Sequence, residues 1–435
     1  MIPGRRYVGR SRLLVVGLVV GLGASLLAGC GAGTDQVDFL VFGEPQELEA
    51  FRGIVSAFAA TDPGFSVRLV EAADRADLLT RVSTSLAGGD PPDIFLVNYR
   101  FYGQFAARGA LQPVDEQLSR PGGLEAAAFY PEAMEAFRWD GAQLCLPQNA
   151  SSLAVYYNKA AFAEAGLDEP SDDWTWDEMV AAAGLLTVDG DGDGAVDRYG
   201  LGVEPGIVRL APLVWSSGGD LLDDIERPTR FSLDTAPELV AVQDFLDLRA
   251  RHRVVPSDEE MEAEDLESRF LNGRLGMLMS SRRVVPVLRS ITDFEWDVAP
   301  LPAREQRVNV LHSDAYCVTA ASDHHDQAWR FLEFALGPEG QRIAAATGRT
   351  VPSLRAVAES PAFLDPAVPP RRSQVFLDAI PGIRRLPTIS TWPEIEDLAD
   401  NLIEEAMFEP AGGEAVEFAQ TLLTETEPLF ARAER

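Results

Sequence analysis

Val37-Asp38-Phe39-Leu40-Val41-Phe42 opens a stretch that closes at Gly88-Gly89-Asp90-Pro91-Pro92-Asp93-Ile94-Phe95-Leu96-Val97, and the reading of that stretch decides the fold. Val37 to Phe42 is a short apolar run of strand type. Glu47 to Ala60 carries its apolar residues at helical spacing, Phe65 to Val70 is strand-like again, and a helical segment runs through Leu86. Asp93 to Val97 is a third strand, entered through glycines and prolines that cannot continue a helix. Strands separated by helices predict an α/β lobe on a mainly parallel sheet. Ligands of such sheets gather at the carboxyl ends of the strands, which points to Gly43 to Gln46 and to Asn98 to Tyr102.

Further along, Gln143 to Leu146 and Leu153 to Tyr157 flank Pro147-Gln148-Asn149 and read as extended segments carrying the chain out of the first lobe. Thr175-Trp176-Asp177-Glu178 and Thr235-Ala236-Pro237-Glu238 have the capping-box pattern. In each, a threonine hydroxyl and a glutamate satisfy free amides before a helix, Met179 to Leu186 in one case and Leu239 to Arg249 in the other. Phe294 to Pro300 and Cys317 to Ala320 are extended. Gln327 to Leu336, Pro338 to Thr347, Trp392 to Phe408 and Glu414 to Phe430 are helical. A return to strands after a helical middle predicts a chain that visits two lobes more than once.

A chain of 435 residues exceeds what one hydrophobic core usually serves, and 46% hydrophobic with 24% charged residues is a globular composition. The net charge of −31 repels nucleic acid and anionic lipid, which argues against nucleic-acid binding. Lys159 is the single lysine and stands in Tyr156-Tyr157-Asn158-Lys159, outside any Gly-x-x-x-x-Gly-Lys loop, so ATP binding of that type and Schiff-base chemistry have no support. His252, His312, His324 and His325 form no His-Glu-x-x-His pair and read as surface histidines, and no Gly-x-Ser-x-Gly elbow occurs.

The N-terminus has a different character. Arg5, Arg6, Arg10 and Arg12 precede an apolar run from Leu13, closed by Leu27-Ala28-Gly29-Cys30. This resembles a bacterial lipoprotein signal, with residues 1–29 the signal peptide, Cys30 the lipidated residue and residues 30–36 a tether. Two acyl chains on that cysteine give stable anchoring, so the remainder is expected outside the cell, held to the outer face of the membrane.

An ordered series of landmarks extends through the mature chain. It comprises Gly88 to Ile94, Leu146-Pro147 before Tyr156 to Lys159, Trp215-Ser216-Ser217-Gly218-Gly219-Asp220, Phe270 to Gly273 with Met277, Ala328 to Leu332, and Gly348-Arg349-Thr350-Val351-Pro352. In this order they resemble the extracellular solute-binding proteins of ABC importers, in the carbohydrate-type branch that includes maltose-binding protein. The resemblance implies an α/β, two-lobe periplasmic-binding-protein-like fold of type II, with lobes joined by a hinge of extended segments. The N-terminal lobe would take residues 37–147 and 313–362, the C-terminal lobe residues 148–312 and 363–435. It also implies a monomer that closes on a carbohydrate in the interlobe cleft and passes it to an ABC permease, with no catalysis and no required cofactor. By position, ligand contacts are expected from Glu44, Gln46, Asn98, Tyr99 and Arg100, from Gln148, Asn149 and Ser151 near the hinge, and from Gly218 and Gly219. Trp215 and Trp392 are the expected ring-stacking platforms.

Ser280-Ser281-Arg282-Arg283 departs from the family, whose sugar binders often carry Gly and Trp after Met277. Arg282 is therefore expected to offer a planar fork to a carboxylate or to adjacent hydroxyls, or else to lie in solvent. Asp189, Asp191, Asp193 and Asp197 occupy the first, third, fifth and ninth positions of an EF-hand-like loop, with Gly194 at the sixth. Gly200 replaces the bidentate glutamate at the twelfth, so the loop is either a structural Ca²⁺ site or an acidic turn. Cys145 and Cys317 are compatible with one disulfide or with two separate buried thiols, and the family's arrangement brings their segments side by side. Two other functions stay open: an extracellular glycan-acting enzyme using two facing carboxylates, and a solute-binding sensor for a non-sugar ligand such as a glycerol phosphodiester or a polyamine.

Overall fold

The computed structural model describes residues 36–409 and 412–433. The expected signal peptide, Cys30 and the expected tether through residue 35 lie outside the described residues. Two sheets organise the rest. The first has the order Ser66–Glu71, Gln36–Val41, Ile94–Asn98, Asp314–Val318, Cys145–Pro147. Its first three strands are parallel, with Val37 opposite Val67 and Phe39 opposite Ile94, and helices Pro45–Ala59 and Arg75–Gly88 make the crossovers. Ile94–Asn98 is buried along its whole length, as an apolar run covered on both faces should be. The Arg75–Gly88 helix starts at Asp74, whose side chain accepts from the Asp77 amide, and stops at Gly89, where a φ of 79° needs glycine.

The sheet is less parallel than the sequence suggests. Asp314–Val318 runs antiparallel to both of its neighbours. It enters from the second lobe and not through a βαβ crossover, so the crossover rule does not set its direction.

The second sheet has the order Trp296–Ala299, Leu153–Asn158, Leu275–Ser281, Tyr199–Gly202, with only the last pair parallel. The expected capping boxes are present at Thr175 with Glu178 and at Thr235 with Glu238, and a third forms at Ser257 with Glu260. The C-terminal helices Trp392–Phe408 and Ala415–Ala431 pack on each other and on the Ala236–Ala250 helix. Among the described residues no helix is long and apolar enough to cross a membrane.

Three extended segments run side by side between the sheets. Ser151 and His312 exchange backbone hydrogen bonds of 3.0 and 2.8 Å, and the Ala150 amide donates to the Val351 carbonyl at 2.9 Å. Just inside the first sheet, Cys145 and Cys317 face each other across neighbouring strands and form a disulfide, with Cα atoms 4.4 Å apart.

Candidate functional site

A cavity of about 330 Å³ lies where the two sheets face each other. The first lobe contributes Asn98 from the carboxyl end of its central strand, Arg100 from the helix Tyr99–Ala106 and Glu47 from the first helix. The crossing segments add Asn149, Ser151 and His312. The second lobe contributes Glu204 beyond the strand Tyr199–Gly202, Arg209 in the first turn of the helix Ile207–Ser216, Arg283 beyond the strand Leu275–Ser281, and Glu396 and Asp400 from the helix Trp392–Phe408. Strand carboxyl ends thus supply the cavity from both sides, as open α/β sheets do.

The charged side chains are interlocked. Arg100 pairs with Glu396, so a side chain of the first lobe is held by one from the C-terminal helix. Arg209 pairs with Glu204, and Arg283 reaches Glu204 at 3.2 Å and also pairs with Glu267. Arg349 Nε lies 2.8 Å from Glu47 Oε2. At the start of the Ile207–Ser216 helix, Asp400 Oδ1 accepts from the Ile207 amide at 2.7 Å. Asn149 spans the crossing, its Nδ2 donating to Ser151 Oγ at 3.0 Å and its Oδ1 accepting from the Asp314 amide at 2.7 Å.

Burial dominates the acid–base behaviour. Glu47 is pushed up to about 7, because the cost of burying its charge outweighs the pull of Arg349. Asp400 is likewise pushed up to about 7 by burial, against the Ile207 amide. His312 is held well below its ordinary range by burial and then by Arg209, Arg100 and Arg283, so it is a neutral imidazole at physiological pH. These shifts predict a pH dependence of stability. Between 4.5 and about 7 the folded chain keeps a proton on Glu47 that the unfolded chain has released. Stability from this group is therefore full below the unfolded value and is lost as pH rises through about 7, by up to about 1.4 kcal/mol per pH unit. Urea midpoints measured between pH 5 and pH 8 are expected to fall, and Glu47→Gln to flatten the profile. A midpoint that rises over this range would contradict the assignment.

Of the residues expected from the sequence, Asn98, Arg100, Asn149 and Ser151 line the cavity. Glu44 and Gln46 do not. Both are exposed at the start of the first helix, and Glu47, on the inward face of that helix, lines the cavity in their stead. Tyr99 is fully buried behind the strand end, its hydroxyl donating to Leu311 O and accepting from the Leu386 amide, each at 3.2 Å. Gln148 is buried without lining the cavity, and its carbonyl accepts from Gln341 Nε2 at 2.9 Å.

The aromatic platforms are corrected outright. Trp215 sits toward the C-terminal end of the helix whose N-terminal end reaches the cavity, and Arg384 covers its ring at 4.8 Å. Trp392 is 0% exposed, packs against Phe231 and donates its indole N–H to Glu396 at 2.9 Å, so it supports the cavity wall from within the core. Gly218 and Gly219 serve the turn after that helix: Gly218 has a φ of 82°, and a Cβ on Gly219 would strike Glu238.

Arg282 lies neither in the cavity nor in solvent. It is buried over Phe363 at 4.2 Å and Phe376 at 5.0 Å, and burial lowers it to about 9. Its neighbour Arg283 faces the cavity. The sequence reading also passed over Arg209 and Glu204, although the same strand-end rule applied to the second sheet leads to them. His312, read as a surface residue, is a cavity residue whose Nε2 is shielded and has no hydrogen-bond partner among the described residues.

In the acidic loop, carboxylate oxygens of Asp189, Asp191 and Asp197 lie within 4.8 Å of one another. Asp193 departs from the expected set and does not join that group.

Residues 43–342 match the family described as bacterial extracellular solute-binding protein. A binding protein of Brucella abortus is 23% identical over 365 residues, covering 81% of this chain and 84% of the relative. The maltotriose-binding protein of Pyrococcus abyssi is 24% identical over 326 residues, covering 73% of this chain and 66% of its own. Among solved structures, an ABC substrate-binding protein of Listeria monocytogenes in complex with cycloalternan superposes with a TM-score of 0.80 at 22% identity, covering 92% of this chain and 98% of that one. With two lobes facing across a polar cleft and a family match over most of its length, the chain belongs to the bacterial extracellular solute-binding proteins.

Proposed function

We propose that this protein is the receptor of an ABC importer that captures a sugar or oligosaccharide in the interlobe cleft and delivers it, unchanged, to the permease. The observation that carries the reading is the cavity itself, whose lining brings amide, hydroxyl and carboxylate groups from both lobes and the crossing segments to one place. Such groups match the alternating donors and acceptors of sugar hydroxyls. Ligand in the cleft would favour the closed arrangement by its differential affinity, a population shift and not a chemical step. The cycloalternan complex and the maltotriose-binding protein among the similar proteins support the same reading.

The test is a thermal-shift screen over a carbohydrate and polyamine panel, followed by chromatography of the recovered ligand. A true sugar ligand at a hundred times its Kd stabilises by about 2.7 kcal/mol and is recovered intact. Hits confined to non-sugars would sink the sugar assignment, and turnover would favour the enzyme.

Membrane attachment through Cys30 belongs to the same proposal and rests on the sequence of the leader. Radiolabelled palmitate should enter the wild type and not Cys30→Ala. We also propose that the Asp189–Asp197 loop takes a structural Ca²⁺, on the grouping of Asp189, Asp191 and Asp197. Chelated protein titrated with calcium should then melt at a higher temperature, and an unchanged melting temperature excludes the site.

A further inference from the structure

Sugar binding alone leaves one part of the cleft without a counterpart. Arg100, Arg209 and Arg283 come from three different elements and converge near His312, closely enough that all three disfavour charge on its ring and Arg100 and Arg283 disfavour charge on Arg209. Within the cavity lining the carboxylates paired with them are two, and one is shared. Glu204 is shared between Arg209 and Arg283, and Glu396 takes Arg100. Glu267, which does not line the cavity, also pairs with Arg283; Asp400 is pushed up to about 7 by burial, so it holds part of a proton near neutrality.

Two polar atoms at this spot are left over. Arg209 is only 8% exposed, yet its Nε, like His312 Nε2, is shielded from solvent and has no partner among the described residues. Arg209 also stands in the first turn of the ten-residue helix Ile207–Ser216, where the helix dipole favours negative charge. Aromatic lining is sparse in comparison: Phe42 is the one aromatic side chain among the described cavity residues.

We infer that the captured solute carries a carboxylate or phosphate group, seated at the start of the Ile207–Ser216 helix against Arg209, with Arg100, Arg283 and His312 around it. The inference rests on the solute-binding reading above and narrows its ligand to an acidic polyol. An anionic oxygen is an acceptor only, so it completes the Arg209 fork without bringing a proton that needs its own acceptor. A neutral hydroxyl there brings a proton that needs His312 Nε2 as its acceptor.

Calorimetric titration with matched pairs tests this: glucose against glucuronate and glucose 6-phosphate, and glycerol against glycerol 3-phosphate. At least one acidic member should bind tenfold or more tightly than its neutral parent. Preference for glucuronate identifies a carboxylate ligand, and preference for the phosphates a phosphorylated one. Arg209→Gln should cost the acidic ligand at least tenfold and bring it level with the neutral parent, with Arg209→Lys in between. Should Arg209→Gln fail to fold, the more exposed Arg283→Gln carries the same comparison. If neutral sugars bind as well as the acidic ones or better, the inference falls while solute capture stands. If no member of either set binds, the inference falls, and solute capture is decided by the wider carbohydrate screen.

Discussion

Trp392→Ala is expected to destabilise the protein by about 3–5 kcal/mol, the usual cost of emptying a buried aromatic site. The side chain is 0% exposed and packs against Phe231, which in turn touches Phe430 of the last helix. Its loss opens a void among helices that cannot collapse independently. The indole N–H also donates to Glu396, the counterion of Arg100, so truncation removes a donor from a buried carboxylate. Trp392→Phe keeps most of the volume and loses only that hydrogen bond, and should cost about 1–3 kcal/mol. Urea unfolding is the measurement. A midpoint unchanged in Trp392→Ala, together with a large loss of ligand affinity, would return Trp392 to the role of a stacking platform and overturn its placement in the core.

Removing the disulfide is the second large effect. Cys145 and Cys317 are 172 residues apart in sequence and bonded between adjacent strands of the first sheet, so the link closes a loop that holds the whole second sheet. Cross-linking a loop of this length restricts the unfolded chain, and losing a native bridge of this kind costs about 2–5 kcal/mol. The double variant Cys145→Ala/Cys317→Ala, lacking both sulfurs, should unfold at a lower urea concentration by that amount. Thiol titration of the Cys30→Ala protein unfolded in urea should find neither remaining cysteine reactive without reductant and both with it. Equal counts under the two conditions would exclude the bond.

Much of the first lobe was legible because its signals are local. Asp74 and Gly89 delimit a helix, Ile94 to Val97 is apolar throughout, and Asn98 follows directly at a strand end, so the strand-end rule reached Asn98 and Arg100. The misreadings share a cause. Glu44 and Gln46 were chosen over Glu47, and Arg282 over Arg283, although each pair belongs to one element. A shift of one residue turns a side chain by about 100° around a helix, enough to carry it from solvent to the cleft, and apolar periodicity does not fix which face meets the cleft. Trp215 and Trp392 failed for a different reason, since an aromatic residue fits a core as readily as it fits a sugar ring.

The sequence by itself determined the α/β alternation, the helix boundaries set by capping residues and glycine, and the family, because each rests on short-range chemistry or ordered motifs. Tertiary structure alone decided that Asp314–Val318 returns antiparallel, that Cys145 meets Cys317, and that Arg100, Arg209 and Arg283 gather around His312. Those groupings join residues separated by tens to hundreds of positions. They exist only when two lobes fold against shared crossing segments, and the charge they concentrate, together with the burial that sets its protonation, has no counterpart in the linear chain.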